Sequence, residues 1–287
     1  MKTLLFVLYL CSVAVEATAE DIVQVFSRAV ISLEILHPVF EDVATNHFQV
    51  FYRLPGQTNL VPKVYQTFGT AFFVHHNAAT YVVTAAHVAT GPVDRGILHL
   101  IDTNGFHKNL DLEEIRNHIP GAKWFFHPTA DIALHPYAHS ATADFGNKDI
   151  PDTFLSTNQL PLLTPVVAIG FPLNLGTMGP KLTPIATACE TSCWTTTLPG
   201  ERPELEFLLL DKALAQGYSG APILTRQQVL DVPGFHAGGG PVLVIGICHS
   251  ELFDAFGGKH AAIVPVSYLT ELFQQPEFLQ YERDHRR

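Results

Sequence analysis

Apolar residues fall in short runs along nearly the whole chain, separated by Gly, Pro, Asn and Asp. Runs this short and this rich in Val, Ile, Phe and Thr read as strands rather than helices. The segments so assigned are AVISLEIL, HFQVFYR, GTAFFVHH, TYVVTAA, GILHLID, WFFHP, PVVAIGF, LTPIATAC, ELEFLLL, APIL, PVLVIGICHS and AAIVPV. Helical spacing is confined to DIVQVFSR near the N-terminus, DLEEIRNH in the first half and SYLTELFQ near the C-terminus. Many short strands with few helices predict an all-β domain, either a barrel or a sandwich. The stretch from His139 to Pro161 is polar and rich in turn formers, with six of the strands on or before its N-terminal side and a similar number after it. It marks a join between two β halves.

Composition narrows the class. The 287 residues are 47% hydrophobic and 15% charged, enough apolar material for a sizeable core. A formal net charge of -10 leaves no basic footprint for a phosphate backbone, so nucleic acid is not an expected partner. At the start, Lys2 precedes an apolar run from Leu4 to Val15, and Ala17-Thr18-Ala19 follows. This pattern predicts a secretory signal over residues 1–19, hence a secreted or periplasmic protein. The run is too short for a membrane span, and no later stretch predicts one. Removing the signal leaves Cys189, Cys193 and Cys248, of which at most two can pair and at least one thiol stays free.

Three segments carry candidate chemistry. In GYSGAPIL, Ser219 sits in a turn between Gly217 and Gly220 that opens an apolar run. In YVVTAAHV, His87 follows a strand that ends in small residues, and in TADIAL, Asp131 heads another apolar stretch. Each alone is ordinary, since the chain has 15 histidines and Asp before an apolar run is a common cap. Together they stand in the order His, Asp, Ser, one of the chain orders of the serine-hydrolase triad. The separations are 44 residues from His87 to Asp131 and 88 from Asp131 to Ser219.

On these motifs, with FSRAVISLEI, GTAFFV, AIGFPL, DKALAQGYSGAPIL, VIGIC and AAIVPVSYLTELF around them, the chain resembles the chymotrypsin-fold, trypsin-like serine proteases. The likeness is to their HtrA-type and bacterial extracellular branches, with no PDZ-like domain expected to follow. It implies two packed six-stranded antiparallel β-barrels with the site between them: a first barrel over about 20–140, a second over about 160–266, and a C-terminal helix over about 267–275. It also implies a secreted endopeptidase acting on protein or peptide substrates through an acyl-enzyme, without cofactor. His87 would be the general base, Asp131 its orienting partner and Ser219 the nucleophile, with the Gly217 and Ser219 amides as oxyanion hole.

The chain departs from the family's digestive members in two ways. Tyr218 stands where they carry an Asp that pairs with a newly cleaved N-terminus, so activation is expected on signal removal alone. Val88 stands where many carry a cysteine after the histidine. For specificity, the resemblance places Ala213 near the base of the pocket and Cys248 on its wall, which implies small or medium apolar side chains rather than Lys or Arg before the scissile bond. His249 lies one residue from the register at which glutamyl endopeptidases hold an acidic side chain. His75, His76, His135, His139 and His249 form no spaced metal motif, so no metal is expected. The alternative readings are a peptide-binding homologue that has lost activity and a related acyl or ester hydrolase.

Overall fold

The computed structural model describes residues 26–38, 40–43, 46–49, 51–53, 60–62, 64–90, 96–102, 104–138, 147–177, 179–196, 205–226, 230–232, 235–237, 241–253 and 259–285. The expected signal at residues 1–19, and His139, lie outside them.

The first half contains β1 (Val30–Pro38), β2 (Val64–His76), β3 (Ala79–Thr84), β4 (Gly96–Ile101), β5 (His107–Asp111), β6 (Phe125–Phe126), β7 (Ala133–Ala138) and β8 (Ile150–Pro151). They form one eight-stranded sheet in the order β6-β7-β3-β2-β1-β4-β5, with β8 running parallel to β2. Of these, β6 falls in the expected WFFHP, whereas β5, β7 and β8 match none of the segments assigned from the sequence, and the expected HFQVFYR pairs outside this sheet. Among the described residues no ladder joins β5 back to β7, so this sheet is open.

The second half contains β9 (Pro165–Gly170), β10 (Ile185–Thr195), β11 (Phe207–Leu210), β12 (Pro222–Thr225), β13 (Val244–Phe253) and β14 (Lys259–Pro265). It closes as a six-stranded antiparallel barrel, β9-β10-β11-β14-β13-β12 and back to β9. Three two-stranded ribbons, 40–43 with 46–49, 51–53 with 60–62, and 230–232 with 235–237, complete the strands among the described residues. Together the two halves match the chymotrypsin-like double-barrel architecture.

Strand periodicity explains how one barrel faces two cores. Successive side chains point to opposite faces, and here both faces are covered. Val166, Ala168, Leu208, Leu210, Ile223, Ile245, Ala261 and Ile263 fill the barrel interior. Their neighbours Val167, Ile169, Phe207, Leu224, Val244, Ala262 and Val264 point the other way, into a larger core shared with the first sheet. This is why the barrel strands read as unbroken apolar runs rather than as alternating ones.

The helices α1 (Ala86–Ala89), α2 (Leu112–His118), α3 (Ser267–Leu272) and α4 (Pro276–His285) are few, as expected. The expected terminal helix is two. Pro276 opens α4, a position where its missing N–H is no loss. The helix lays buried Phe278 against Tyr81 of the β2–β3 hairpin and buried Tyr281 against Phe125 of β6, and buried Glu282 accepts the Tyr81 hydroxyl at 3.1 Å. Among the described residues Cys189, Cys193 and Cys248 are free thiols, Cys189 and Cys248 buried and Cys193 exposed.

One buried histidine makes stability depend on pH. His135 on β7 is 2% exposed, packs edge-on against Trp124 and donates from Nδ1 to the Pro136 carbonyl at 2.6 Å. Burial, with a smaller push from Arg116, lowers its pKa to about 4 despite that bond. Unfolding returns the imidazole to about 6.5, so the unfolded chain binds a proton that the folded one refuses. Stability should therefore fall between about pH 6.5 and pH 4, by roughly 3 kcal/mol from this group, and not above that window. Urea unfolding at pH 7 and pH 4.5 tests it: His135→Gln should flatten the drop, and an unchanged drop would refute the assignment.

Candidate active site

Ser219 lies in the loop between β11 and β12, held from both halves of the molecule. Tyr218 turns into the barrel, where its hydroxyl donates to the Ile185 carbonyl at 3.1 Å and bonds Thr187 Oγ1 at 2.6 Å. Thr70 of β2, fully buried, reaches across from the first sheet. Its N–H donates to Ser219 O at 2.8 Å, and its Oγ1 donates to Gly217 O at 2.7 Å while accepting from Phe171 N at 3.0 Å. These approaches are the reason for the two glycines. Gly217 has φ +99 and Gly220 φ +87, and a Cβ would lie 2.6 Å from Phe171 O at the first and 2.0 Å from Thr70 O at the second. Among the described residues nothing accepts from the backbone N–H of Gly217 or of Ser219.

His87 sits on α1, directly after β3, with its side chain about half exposed. Asp131 sits on the turn that enters β7. That turn is fixed by His127, whose ring accepts the Ala130 N–H at Nδ1 (2.9 Å), leaving Nε2–H to donate to Glu271 of α3 at 3.4 Å. Asp131 meets His87 twice: Oδ1 accepts its backbone N–H at 2.8 Å, and Oδ2 accepts its Nδ1–H at 2.6 Å. A second imidazole shares that oxygen, because His249 Nδ1 also donates to Asp131 Oδ2, at 2.5 Å.

Burial would push the Asp131 carboxyl up, but the hydrogen bonds from His249 and His87 outweigh it and hold the group well below the usual carboxylate range. An ionised carboxylate only accepts, so each imidazole keeps its proton on Nδ1. Neutral His87 then carries an unprotonated Nε2. His249 reaches this place through a β-bulge in β13, where pairing with β14 shifts register between Cys248 and Ser250.

His87, Ser219, Leu214, Cys248, His249 and Glu251 line one cleft of about 470 Å³. The Ser219 hydroxyl donates to the His249 carbonyl at 3.3 Å. Asp131 stands behind His87 and Gly217 is buried in the loop. Ala213 is half-buried beside Leu214 and is not among the lining residues. Burial raises the pKa of the Cys248 thiol, so it stays neutral and forms an apolar wall. The sequence reading missed Thr70, His127 and Glu251, and did not foresee that His249 joins Asp131. A polar Thr70 inside the apolar run GTAFFV was the one available signal.

No family model and no curated protein matches the chain. Solved structures do. The HtrA-type protease AlgW with decapeptide aligns with TM-score 0.55 at 19% identity, over 90% of this chain and 67% of that one. The same protease with tripeptide gives TM-score 0.51 at 16% identity, over 90% and 62%. A variant of it with tripeptide gives 0.54 at 16%, with this chain spanning 63% of its length. The chain therefore has the chymotrypsin-like double-barrel fold of the HtrA-type serine proteases.

Proposed function

We propose that the chain is a serine endopeptidase in which Ser219 attacks, His87 transfers the proton and Asp131 orients His87. The observation that carries this is Asp131 Oδ2 accepting the His87 Nδ1–H, which frees Nε2 as a base on a cleft that also holds Ser219. Ser219 Oγ would leave the weak 3.3 Å bond to His249 O, pass its proton to His87 Nε2 and add to the substrate carbonyl. The uncommitted Gly217 and Ser219 amides support an oxyanion hole, where one donor is typically worth about 3 kcal/mol in the transition state. His87 then returns the proton to the leaving amine, and water repeats the sequence on the acyl-enzyme.

The peptides in the AlgW structures support a polypeptide substrate, and the expected signal at residues 1–19 supports action outside the cytoplasm. No helix among the described residues is long and apolar enough to cross a membrane. Ala213, expected at the base of the pocket, does not line the cleft, and the neutral Cys248 wall alone favours a small or medium apolar residue before the scissile bond.

A fluorophosphonate probe followed by peptide-library profiling tests the reading. Protein beginning near Glu20 should label at Ser219 and cleave peptides as well as small esters. Absence of labelling would favour the peptide-binding alternative, and ester cleavage alone would favour an acyl hydrolase. Dominant cleavage after Lys or Arg would instead assign the pocket to the Glu251 carboxylate.

A further inference from the structure

Three ligating groups from three separate segments converge beside the cleft, which His87 and His249 line and Asp131 backs. One ligand atom from each of His87, Asp131 and His249 lies within 4.8 Å of the other two, and no other such group occurs among the described residues. Two imidazoles and one carboxylate suit borderline cations such as Zn²⁺, whereas Ca²⁺ and Mg²⁺ take oxygen ligands. We infer that His87, Asp131 and His249 form a binding site for a Zn²⁺-class cation, and that filling it switches the cleft's chemistry off.

The required movement is small. Zinc holds imidazole nitrogen at about 2.0–2.1 Å and carboxylate oxygen at about 2.0–2.2 Å in a tetrahedron, which sets its ligand atoms about 3.3–3.5 Å apart. The two Nδ1 atoms now stand 2.6 and 2.5 Å from Asp131 Oδ2, so each pair must open by under about 1 Å. His87 is half exposed and has room to do so, whereas the ring of His249, 12% exposed, is packed on Phe207. The half-exposed His87 leaves a side from which solvent can supply a fourth ligand, as in three-ligand zinc sites.

The chemistry balances without loss of charge from either ring. Each neutral imidazole moves its proton from Nδ1 to Nε2 through solvent, and the freed Nδ1 lone pair binds the metal. His87 then presents Nε2–H to Ser219 where a lone pair is needed. Binding stands on the geometry alone; the loss of activity rests on the triad proposed above.

The test is calorimetric titration of Zn²⁺ into untagged Ser219→Ala protein, which removes turnover and keeps all three ligands. One equivalent should bind, with no comparable binding of Ca²⁺ or Mg²⁺. Adding His249→Ser or His87→Ala should weaken binding by more than about 100-fold, since losing even an outer-shell partner typically costs 10–100-fold. Thermal unfolding checks each variant, and the half-exposed His87 is the safer one for the fold. Absence of binding at millimolar Zn²⁺, or binding that survives both substitutions, would overturn the site. In wild-type protein Zn²⁺ should block fluorophosphonate labelling and a chelator should restore it. Undiminished labelling of a calorimetrically loaded protein would overturn the switch. If wild-type protein never labels, the triad reading fails, and the calorimetry still decides the site.

Discussion

Ser219→Ala is expected to reduce kcat by about 10⁵–10⁶-fold while leaving the protein folded. The size of the loss follows from the residues acting as a unit: without the hydroxyl, the base and its carboxylate have nothing to activate. What survives is turnover from bound, polarised substrate. The fold should tolerate the change because, among the described residues, the one polar contact of Ser219 Oγ is its 3.3 Å bond to the His249 carbonyl, and the loop is held by backbone atoms and by Thr70. A neutral hydrogen bond of that kind is worth about 1 kcal/mol at most. Steady-state kinetics on a peptide substrate, with thermal unfolding of both proteins, provides the check. A variant within tenfold of wild type would remove Ser219 from the chemistry.

For Asp131→Asn the expected loss is about 10⁴-fold in kcat, again in a folded protein. Oδ1 accepts from the His87 backbone N–H at 2.8 Å, a donor that cannot change its role, so the Asn oxygen must take that place. The Asn NH₂ then occupies the place of Oδ2, facing two imidazoles that now donate to it at 2.6 and 2.5 Å. Both rings can satisfy it by moving their protons to Nε2, since the amide has two hydrogens to give. The structure survives, but His87 Nε2 becomes a donor and can no longer accept the Ser219 proton. Nitrogen NMR of the imidazoles should show the tautomer change alongside the kinetic loss. Activity near wild type, or His87 still protonated on Nδ1, would contradict this account.

Much of the fold was legible because its local signals agree. The apolar runs are short, rich in β-branched and aromatic residues, and bounded by turn formers, so strands such as Val30–Pro38, Pro165–Gly170 and Lys259–Pro265 appear where the pattern predicts them. The order and spacing of His87, Asp131 and Ser219 point to a chemistry on their own, because serine and its glycine-flanked turn leave a local mark. Strands β5, β7 and β8, and the second terminal helix, were not legible. Such elements form through contacts with distant partners, as β8 does with β2 and α4 with the β2–β3 hairpin.

The sequence by itself determined an all-β chain in two halves with a candidate His, Asp and Ser. Only the tertiary structure decided what surrounds them. Thr70 reaches the serine loop from 147 residues away from Gly217, and His127 fixes the Asp131 turn against Glu271 at a separation of 144. His249 approaches Asp131 from 118 residues along the chain, through a bulge that breaks the two-residue period on which strand reading depends. A pattern read along the chain registers which face a residue takes within its own element; it carries no information on which residue of another element that face will meet. The shared carboxylate oxygen of Asp131, and the cation site inferred from it, exist only at that second level.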